Sequence, residues 1–329
     1  MSHPAAHRAA QPTVLDVTLR DGGYLNDWRF SDDQILDIVN GLDQAGIDVV
    51  EVGYLSDDVI EPPAARCTAE LLSRVRERAP RTRIAAMMRP DLPDADAVIR
   101  SRHGLIDLVR ITAAIRQPGP AIQAARRVRD HGITASINLT SVSAFTDDEL
   151  LRAIEAIALE GSATCLYLAD SRGALRPDEV RRLVPITRGA WPGVLGFHGH
   201  DNLGLALENS EVALSAGCTW VDGSLKGLGL GGQNTNLHGL VQAARPDLRD
   251  ALAPLKRLAE RIDLPAPAEP ATLYALAGEK NLKQEWIPLL VEQHGAQTEL
   301  LLHRLERAPY QTFEEALGRI GDPASARVA

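Results

Sequence analysis

The sequence predicts an α/β protein built as a (β/α)₈ barrel, or TIM barrel, with a C-terminal helical extension. Eight short apolar runs rich in β-branched residues follow one another between residues 13 and 225, and amphipathic helical patterns separate them. The runs are almost continuously apolar, which is typical of parallel strands covered on both faces. Eight such strands with helices between them is the number that closes a barrel.

The eight predicted strands are, in chain order, TVLDVTLR (13–20), DVVEVGYL (48–55), TRIAAMMRP (82–90), LIDLVRITAAI (105–115), ITASINLTSV (133–142), ATCLYLAD (163–170), GVLGFHGH (193–200) and CTWVDGSL (218–225). An open, doubly wound sheet is the alternative arrangement of the same elements. No Gly-x-Gly-x-x-Gly motif follows the first strand to favour it.

The intervening patterns carry helix start signals. SDDQILDIVNGLDQAG and TDDELLRAIEAIALEG each begin with a hydroxyl residue that has Gln or Glu three positions later, Ser31 with Gln34 and Thr146 with Glu149. This spacing is typical of a capping box. The order of these elements divides the chain into a disordered tail at 1–12, a barrel domain at 13–245 and a helical extension at 246–329 that covers the barrel mouth or an interface.

Composition excludes several classes of function. The 329 residues carry a formal net charge of -9 and no basic stripe, which argues against nucleic-acid binding. No apolar run approaches the roughly 18 residues that span a bilayer. Three scattered cysteines, Cys67, Cys165 and Cys218, predict free thiols and a cytoplasmic setting rather than a disulfide framework.

Polar residues collect where the predicted strands end, which is the functional face of such a barrel. They are Arg20, Asp21, Glu51, Arg89, Arg110, Asn138, Asp170, Ser171, His198, His200 and Asp222. Charges are common at the start of loops, but these lie at the last strand positions. We therefore expect one shared site.

The motif His198-Gly199-His200 is the sharpest of these features. Strand residues at positions i and i+2 project from the same face, so both imidazoles can reach one ion. With Asp21 as a carboxylate partner, the set suits Mn²⁺, Fe²⁺, Co²⁺ or Zn²⁺, and Mg²⁺ when waters complete an octahedron. We expect the two glycines after Asp21, Gly22 and Gly23, to let the chain turn beside the substrate.

Together these stretches resemble the metal-dependent lyases and aldolases that share a TIM barrel and an Asp-Arg-Glu signature. That group includes HMG-CoA lyase, the isopropylmalate and citramalate synthases, and 4-hydroxy-2-oxovalerate aldolase. In the residues of the matching stretches, this sequence is most similar to the last of these branches. The matching stretches are TLRDGGY (18–24), VVEVGY (49–54), LYLADSRGAL (166–175), GFHGHDNLGLALENSEVALSAG (196–217) and VDGSLKGLGLGGQN (221–234).

The resemblance implies that Asp21, His198 and His200 hold a divalent metal, with Mn²⁺ or Mg²⁺ the expected ion and Co²⁺, Zn²⁺ or Fe²⁺ as further candidates. Asn234 falls where the lyases place a fourth ligand after a glycine loop. Read without the resemblance, an Asn just before a helix is more often an N-cap.

The resemblance also implies catalytic and substrate-binding roles. Arg20 matches the arginine that steadies an enolate oxygen, and Glu51 matches the glutamate that orients it. Ser171 falls near the substrate in the aldolases. At the neighbouring strand ends, substrate binding is expected of Asp170 and Arg110.

Tyr24 departs from the family pattern. The aldolases carry a histidine there and the acyl-CoA condensing enzymes a glutamine. Tyr24 is then a base, a substrate-binding group or the mark of a different aldehyde or acceptor. The stretch GEKNLKQEWI (278–287) corresponds to a C-terminal segment that closes over the aldolase site.

The expected function is a divalent-metal aldolase or lyase that makes or breaks a C–C bond of a 2-oxo acid through a pyruvate-type enolate. The alternatives are a Claisen-type acyl-CoA condensing synthase, a non-haem Fe(II) oxygenase and a non-catalytic homologue. The expected partners are a small-molecule 2-oxo acid and an aldehyde. The resemblance adds a dehydrogenase partner, and we also expect a homo-oligomer. The charge and the apolar runs described above lead us to expect neither a nucleic acid nor a membrane as a partner.

Overall fold

The computed structural model describes residues 11–57 and 61–320. Within these ranges eight parallel strands close into a barrel in chain order, from β1 to β8 and back to β1. This confirms the predicted (β/α)₈ barrel and excludes the open sheet. In the same ranges, no helix is long and apolar enough to cross a membrane.

The strands are β1 Thr13–Asp16, β2 Val49–Tyr54, β3 Arg83–Met88, β4 Leu108–Ala113, β5 Thr134–Leu139, β6 Cys165–Asp170, β7 Val194–Gly199 and β8 Trp220–Gly223. The helices are α1 Thr18–Asp21, α2 Asp32–Gln44, α3 Pro63–Arg66, α4 Ala69–Arg78, α5 Ala95–Ser101, α6 Gly119–Asp130, α7 Asp147–Glu160, α8 Pro177–Ala190, α9 Ala206–Ala216, α10 Leu237–Ala244, α11 Leu252–Arg261, α12 Ala271–Lys280, α13 Trp286–His294, α14 Thr298–Arg304 and α15 Phe313–Ile320. Both predicted capping boxes are present, at the starts of α2 and α7.

The first strand is shorter than predicted. It ends at Asp16, whose carboxylate accepts hydrogen bonds from the backbone N–H of Thr18 (3.0 Å) and from its hydroxyl (2.7 Å). Such a side-chain turn stops extended backbone. Arg20 and Asp21 therefore lie on the helical turn α1 above the strand, rather than on the strand itself.

The glycines after Asp21 also differ from expectation. Gly22 has φ -63°, which any residue can adopt, so it is not needed to turn the chain. Gly23 is needed for space, because a Cβ there would collide with the indole ring of Trp28. The motif therefore makes room for an aromatic side chain at the barrel mouth.

The barrel interior is layered, with four side chains per layer from alternate strands. Following the strand register upward, the two lower layers are largely small or apolar. The lowest contains Val49, Leu108, Cys165 and Trp220, and the next contains Leu15, Ala85, Ser136 and Gly196.

The third layer is different in kind. The four even-numbered strands contribute Glu51, Arg110, Tyr167 and Asp222, each at most 1% exposed. We call these four residues the ionic layer. It replaces the aliphatic side chains that usually fill a barrel at this level, and it forms the floor of the candidate site.

The C-terminal region has its own core. Helices α12 to α15 share an apolar cluster, whereas Leu255 and Leu258 of α11 belong to the large cluster between the barrel and its helices. The apolar side chains of α11 thus pack with the barrel, and the domain boundary at 245/246 stays a prediction. The disordered tail expected at 1–12 falls mostly on residues 1–10, outside the described residues.

Candidate metal centre and active site

His198, on β7, and His200, one residue beyond its end, converge at the mouth of the barrel. Their Nε2 atoms lie 3.3 Å apart, and both side chains are buried, at 6% exposed. The period of two along β7 places both rings on the inner face, as the sequence predicts. Two nitrogens at this spacing could both bind one divalent cation.

The other ring nitrogens have partners that fix the tautomers. Nδ1 of His198 lies 3.1 Å from the carboxylate of Asp222, and Nδ1 of His200 lies 3.1 Å from the carbonyl oxygen of Gln233. Both partners accept hydrogen bonds, so we assign the proton to Nδ1 in each ring. The lone pairs on Nε2 then face each other and are available to a cation.

Asp21 completes the set. One ligand atom from each of Asp21, His198 and His200 lies within 4.8 Å of the others, and all three side chains are buried. Burial would raise the pKa of Asp21, but the charge of Arg20, followed by the two histidines, lowers it to about 2. Asp21 is therefore a carboxylate at neutral pH.

Burial lowers the pKa of His200 to about 4, against the opposing charge of Asp21. His200 is therefore neutral near pH 7. This is the form that binds metals.

Asn234 lies beside this set and not at a helix start. The N-cap of α10 is Asn236, whereas the Asn234 amide donates to Asp21 (2.5 Å) and to the carbonyl oxygen of Leu228 (3.0 Å). Its side-chain oxygen is buried and has no hydrogen-bond partner. Such an unpaired oxygen is suited to a cation, so the N-cap alternative is wrong and the fourth-ligand role stays a prediction.

These residues fit a divalent cation. They offer two imidazole nitrogens and a carboxylate within 4.8 Å of one another, and the neighbouring Asn234 adds an orphaned amide oxygen. This donor set suits Mn²⁺, Mg²⁺, Co²⁺, Zn²⁺ or Fe²⁺. Asp21, His198, His200 and Asn234 would hold the ion.

Arg20 lies beside the metal set and pairs with two acids. Its guanidinium contacts Asp21, and its Nε donates to Oε2 of Glu51 over 2.7 Å. Burial disfavours the charged form, but Asp21 and Glu51 raise the Arg20 pKa well above its ordinary value. A permanent positive charge is thereby fixed at the edge of the site, oriented by Glu51 as the resemblance implies.

An aromatic rim surrounds the opening. Tyr24 is 39% exposed, and its hydroxyl lies 2.8 Å from that of Tyr54. Trp28 packs edge-on against both rings, with centroids 4.6 and 5.6 Å away, and its indole N–H donates to the carbonyl oxygen of Arg20. Burial and the Tyr54 neighbour raise the Tyr24 pKa well above 10, so neither tyrosine is a resting base at neutral pH.

The C-terminal segment reaches the site through Gln284, which is 1% exposed. Its amide nitrogen donates to the carbonyl oxygen of Ser171 (3.1 Å). The same nitrogen lies 3.1 Å from Nδ1 of His200 but does not donate to it, because that Nδ1 carries the ring proton and donates to Gln233. Its oxygen accepts from the backbone N–H of Gly232. Ser171 is half-buried, and its hydroxyl accepts from the backbone N–H of Ser141. Its carbonyl oxygen accepts from the Gln284 amide beside His200, so Ser171 lies next to the site.

Two expected substrate-binding residues do not open onto the cleft. Arg110 is fully buried below it, held by Glu51 and Asp222. Asp170 is also fully buried, because its carboxylate accepts the backbone N–H groups of Ala174 and Leu175 in its own loop. Arg110 instead braces the site from beneath, and Asp170 holds the loop that follows β6.

Three contributing residues have no individual role predicted from the sequence. Tyr54 and Gln284 reach the site across 30 and 84 positions of the chain. Asp222 was noted only as a strand end, although it holds the His198 ring. The partner of each is distant in sequence, and only the strand-end position of Asp222 signalled its place.

Comparison with known proteins identifies the family of this chain. The HMGL-like family model matches residues 11–261. An oxaloacetate decarboxylase of Mycobacterium tuberculosis is 33% identical over 242 residues, 73% of this chain and 71% of that protein. A 4-hydroxy-2-oxovalerate aldolase of Thermomicrobium roseum is 32% identical over 227 residues, 68% of this chain and 64% of that protein.

Among solved structures, the N-terminal domain of a protein assigned to the aldolases, from Bacteroides vulgatus, superposes with a TM-score of 0.76 at 25% identity. The match covers 88% of this chain and 99% of that domain. The barrel, the site and these relatives together confirm the resemblance drawn from the sequence. The chain belongs to the HMGL-like family of TIM-barrel enzymes.

Proposed function

We propose that this protein is a divalent-metal-dependent carbon–carbon lyase that acts on a 2-oxo acid through a pyruvate-type enolate. The observation that carries the proposal is the buried set of Asp21, His198 and His200, with Arg20 beside it. Relatives named as an aldolase and a decarboxylase support the same class. The bound ion would supply Lewis-acid charge to the oxygens of the 2-oxo acid.

The protein's own residues would do the rest. Arg20 places a fixed positive charge where negative charge develops on the enolate oxygen. Glu51 holds the guanidinium in that orientation through the 2.7 Å hydrogen bond. The rim of Tyr24, Trp28 and Tyr54 limits access of water to the reacting carbon.

Two reactions fit this enolate, and Tyr24 distinguishes them. Aldol cleavage of a 4-hydroxy-2-oxo acid requires a base that takes the 4-hydroxyl proton, and neutral tyrosines with raised pKa values are poor bases. Decarboxylation of a 3-carboxy-2-oxo acid such as oxaloacetate requires no base. The C–C bond to the carboxylate breaks, CO₂ leaves, and the electron pair of that bond forms the enolate, which then takes a proton from solvent to give pyruvate. Because a neutral Tyr24 is a poor base, decarboxylation is a second candidate reaction beside aldol cleavage.

The test is pyruvate formation from oxaloacetate and from 4-hydroxy-2-oxovalerate with added Mn²⁺, followed by NMR. Free Mn²⁺ also decarboxylates oxaloacetate, so the control is His200→Ala under identical conditions. We expect wild-type rates at least about 100-fold above the control for one of the two substrates. Equal rates for wild type and His200→Ala with both substrates would contradict the proposal.

Other expectations belong to the same proposal. The three cysteines are buried free thiols, which supports the cytoplasmic setting expected from the sequence. Aldol cleavage would release an aldehyde, for which a dehydrogenase partner and a homo-oligomeric assembly remain predictions. Pull-down and light scattering of the purified protein would test them.

A further inference from the structure

The ionic layer connects Arg20 with the metal ligand His198 through one side chain, that of Arg110. We propose that Arg110 is a positioning residue that orients both Arg20 and the metal ligand His198 from beneath. The proposal rests on the proposed function only in taking the site for a metal centre. It assigns Arg110 no contact with substrate.

Each carboxylate of the ionic layer uses one oxygen twice. Oε2 of Glu51 accepts from Arg20 Nε at 2.7 Å and from Arg110 at 3.1 Å. Oδ2 of Asp222 accepts from Arg110 at 2.5 Å and lies 3.1 Å from Nδ1 of His198. A chain of hydrogen bonds thus runs from Arg20 to His198, and Arg110 is its centre.

The arrangement requires an arginine. The guanidinium is a planar fork that can direct two N–H groups to two acceptors at once, whereas a lysine ammonium is a point charge. Arg110 uses one branch of this fork for Glu51 and the other for Asp222. Because the fork is rigid, the positions of the two carboxylates depend on each other.

The ring of Tyr167 fixes the plane of this fork. The Arg110 guanidinium carbon lies 4.3 Å from the ring centroid. Gly196, on the next strand, makes space for the ring, since a Cβ there would lie 2.5 Å from it. A glycine two residues before His198 therefore serves the same arrangement as the histidine.

Loss of Arg110 would leave Glu51 and Asp222 buried with no shared cation between them. Burial of unmatched like charges is unfavourable, so the carboxylates would move apart or admit water. Asp222 would then no longer hold the Nδ1–H of His198. Outer partners of metal-binding histidines typically change metal affinity by about 10- to 100-fold.

The experiment is Mn²⁺ binding to the metal-free full chain by isothermal titration calorimetry. We expect Arg110→Met to bind Mn²⁺ at least about 10-fold more weakly than wild type. The matched control is Arg83→Met, which removes an arginine stacked 4.7 Å from the Trp220 ring at the opposite end of the barrel. This control should bind Mn²⁺ like the wild type.

Arg110→Lys keeps a positive charge in the layer and serves if Arg110→Met does not fold. We expect it to weaken Mn²⁺ binding several-fold, because one ammonium cannot replace both branches of the fork. A second readout is ¹⁵N NMR of the metal-free protein, where His198 should be the Nδ1–H tautomer in wild type and a mixture in the variants. A loss of thermal stability alone would not alter either readout in the folded protein.

The inference is overturned if folded Arg110→Met, or Arg110→Lys in its place, binds Mn²⁺ within twofold of wild type and keeps a single His198 tautomer. Failure of the proposed function looks different, since wild type would then bind Mn²⁺ and respond to Arg110 substitution without forming pyruvate. Wild-type protein that binds no Mn²⁺ would overturn both.

Discussion

Arg20 and Asp21 are neighbours on one helical turn, yet they would serve different parts of a reaction. Asp21 faces the two histidines, while Arg20 spans from Asp21 to Glu51. Their positions follow from Asp16, which ends β1 four residues before Arg20. The short helix therefore carries both charges above the end of β1.

Tyr24 carries a prediction at the same scale. Tyr24→His places a group with an ordinary pKa near 6.5 at the rim, where it can accept a hydroxyl proton at neutral pH. We expect the ratio of aldol cleavage to oxaloacetate decarboxylation to rise at least about tenfold, because only the first reaction requires that base. Steady-state kinetics with both substrates measure the ratio.

Tyr24→Phe is the companion variant, since it removes only the hydroxyl that pairs with Tyr54. Its decarboxylation rate should stay within about threefold of wild type, because general acid–base help is not required for loss of CO₂. A rate loss of 100-fold or more would instead make the Tyr24 hydroxyl part of the enolate chemistry.

Sequence patterns carried much of the site at this scale. The spacing of His198 and His200, and the placement of Asp21 at the end of the first apolar run, anticipated the cluster that the structure brings together. Arg110 was read as substrate-binding because strand-end charges look alike in sequence. Its depth in the barrel depends on closure of the eight strands and on Tyr167, neither of which local pattern reveals.

At the scale of elements, hydrogen bonds from a barrel arginine to backbone carbonyl oxygens attach the C-terminal helices to the barrel. Arg172, in the loop after β6 and 1% exposed, donates to the carbonyl oxygens of Asn281 and Tyr310. Asn281 in turn exchanges hydrogen bonds with Ser143. These contacts hold the segment that delivers Gln284 to His200.

Arg172→Met should loosen this attachment. It removes hydrogen bonds to two buried carbonyls, which costs about 1–3 kcal/mol for each carbonyl left unpaired. We expect a lower thermal midpoint and faster proteolysis in the 262–270 linker, together with a several-fold higher KM because Gln284 loses its support.

The control is Arg181→Met, since Arg181 is an exposed residue of α8 paired with Asp178. It should match wild type in thermal midpoint, proteolysis rate and KM. If Arg172→Met also matches wild type in proteolysis rate and KM, the C-terminal helices are held by contacts other than those of Arg172.

Element order was predictable, and element ends were less so. Apolar runs that alternate with capped helices predict a barrel, because a parallel strand that is covered on both faces is apolar along most of its length. The end of β1 was misjudged because Asp16, a residue within an apolar run, turns the chain with its side chain. The expectation that GEKNLKQEWI (278–287) closes over the site rests on the resemblance and not on a sequence pattern, and it stays a prediction.

For the whole molecule, the ionic interior makes stability dependent on pH. Burial, together with the charges of Asp222 and Glu51, raises the pKa of Asp16 from 3.8 to about 7, despite its hydrogen bonds from Thr18. A raised folded-state pKa favours the protonated form. Its stabilising contribution is present below the unfolded pKa and is lost as pH rises through about 7.

Asp16→Asn cannot ionise and should not show this loss. We expect the free energy of unfolding of the variant, relative to wild type, to increase between pH 5 and pH 8, measured by urea denaturation. Asp27→Asn, at an exposed carboxylate, is the control and should show no such trend. An Asp16→Asn difference that is the same at both pH values would contradict the account.

The central claim is that Asp21, His198 and His200 form one metal centre, and Mn²⁺ binding tests it most directly. Electron paramagnetic resonance titration of the metal-free full chain should give one tight Mn²⁺ per chain. We expect a Mn²⁺ affinity at least about 100-fold lower in each of Asp21→Asn, His198→Ala and His200→Ala. Removal of a metal ligand lowers the affinity more than removal of a residue that only orients a ligand. Wild-type protein without tight Mn²⁺, or variants that bind it as wild type does, would contradict the claim.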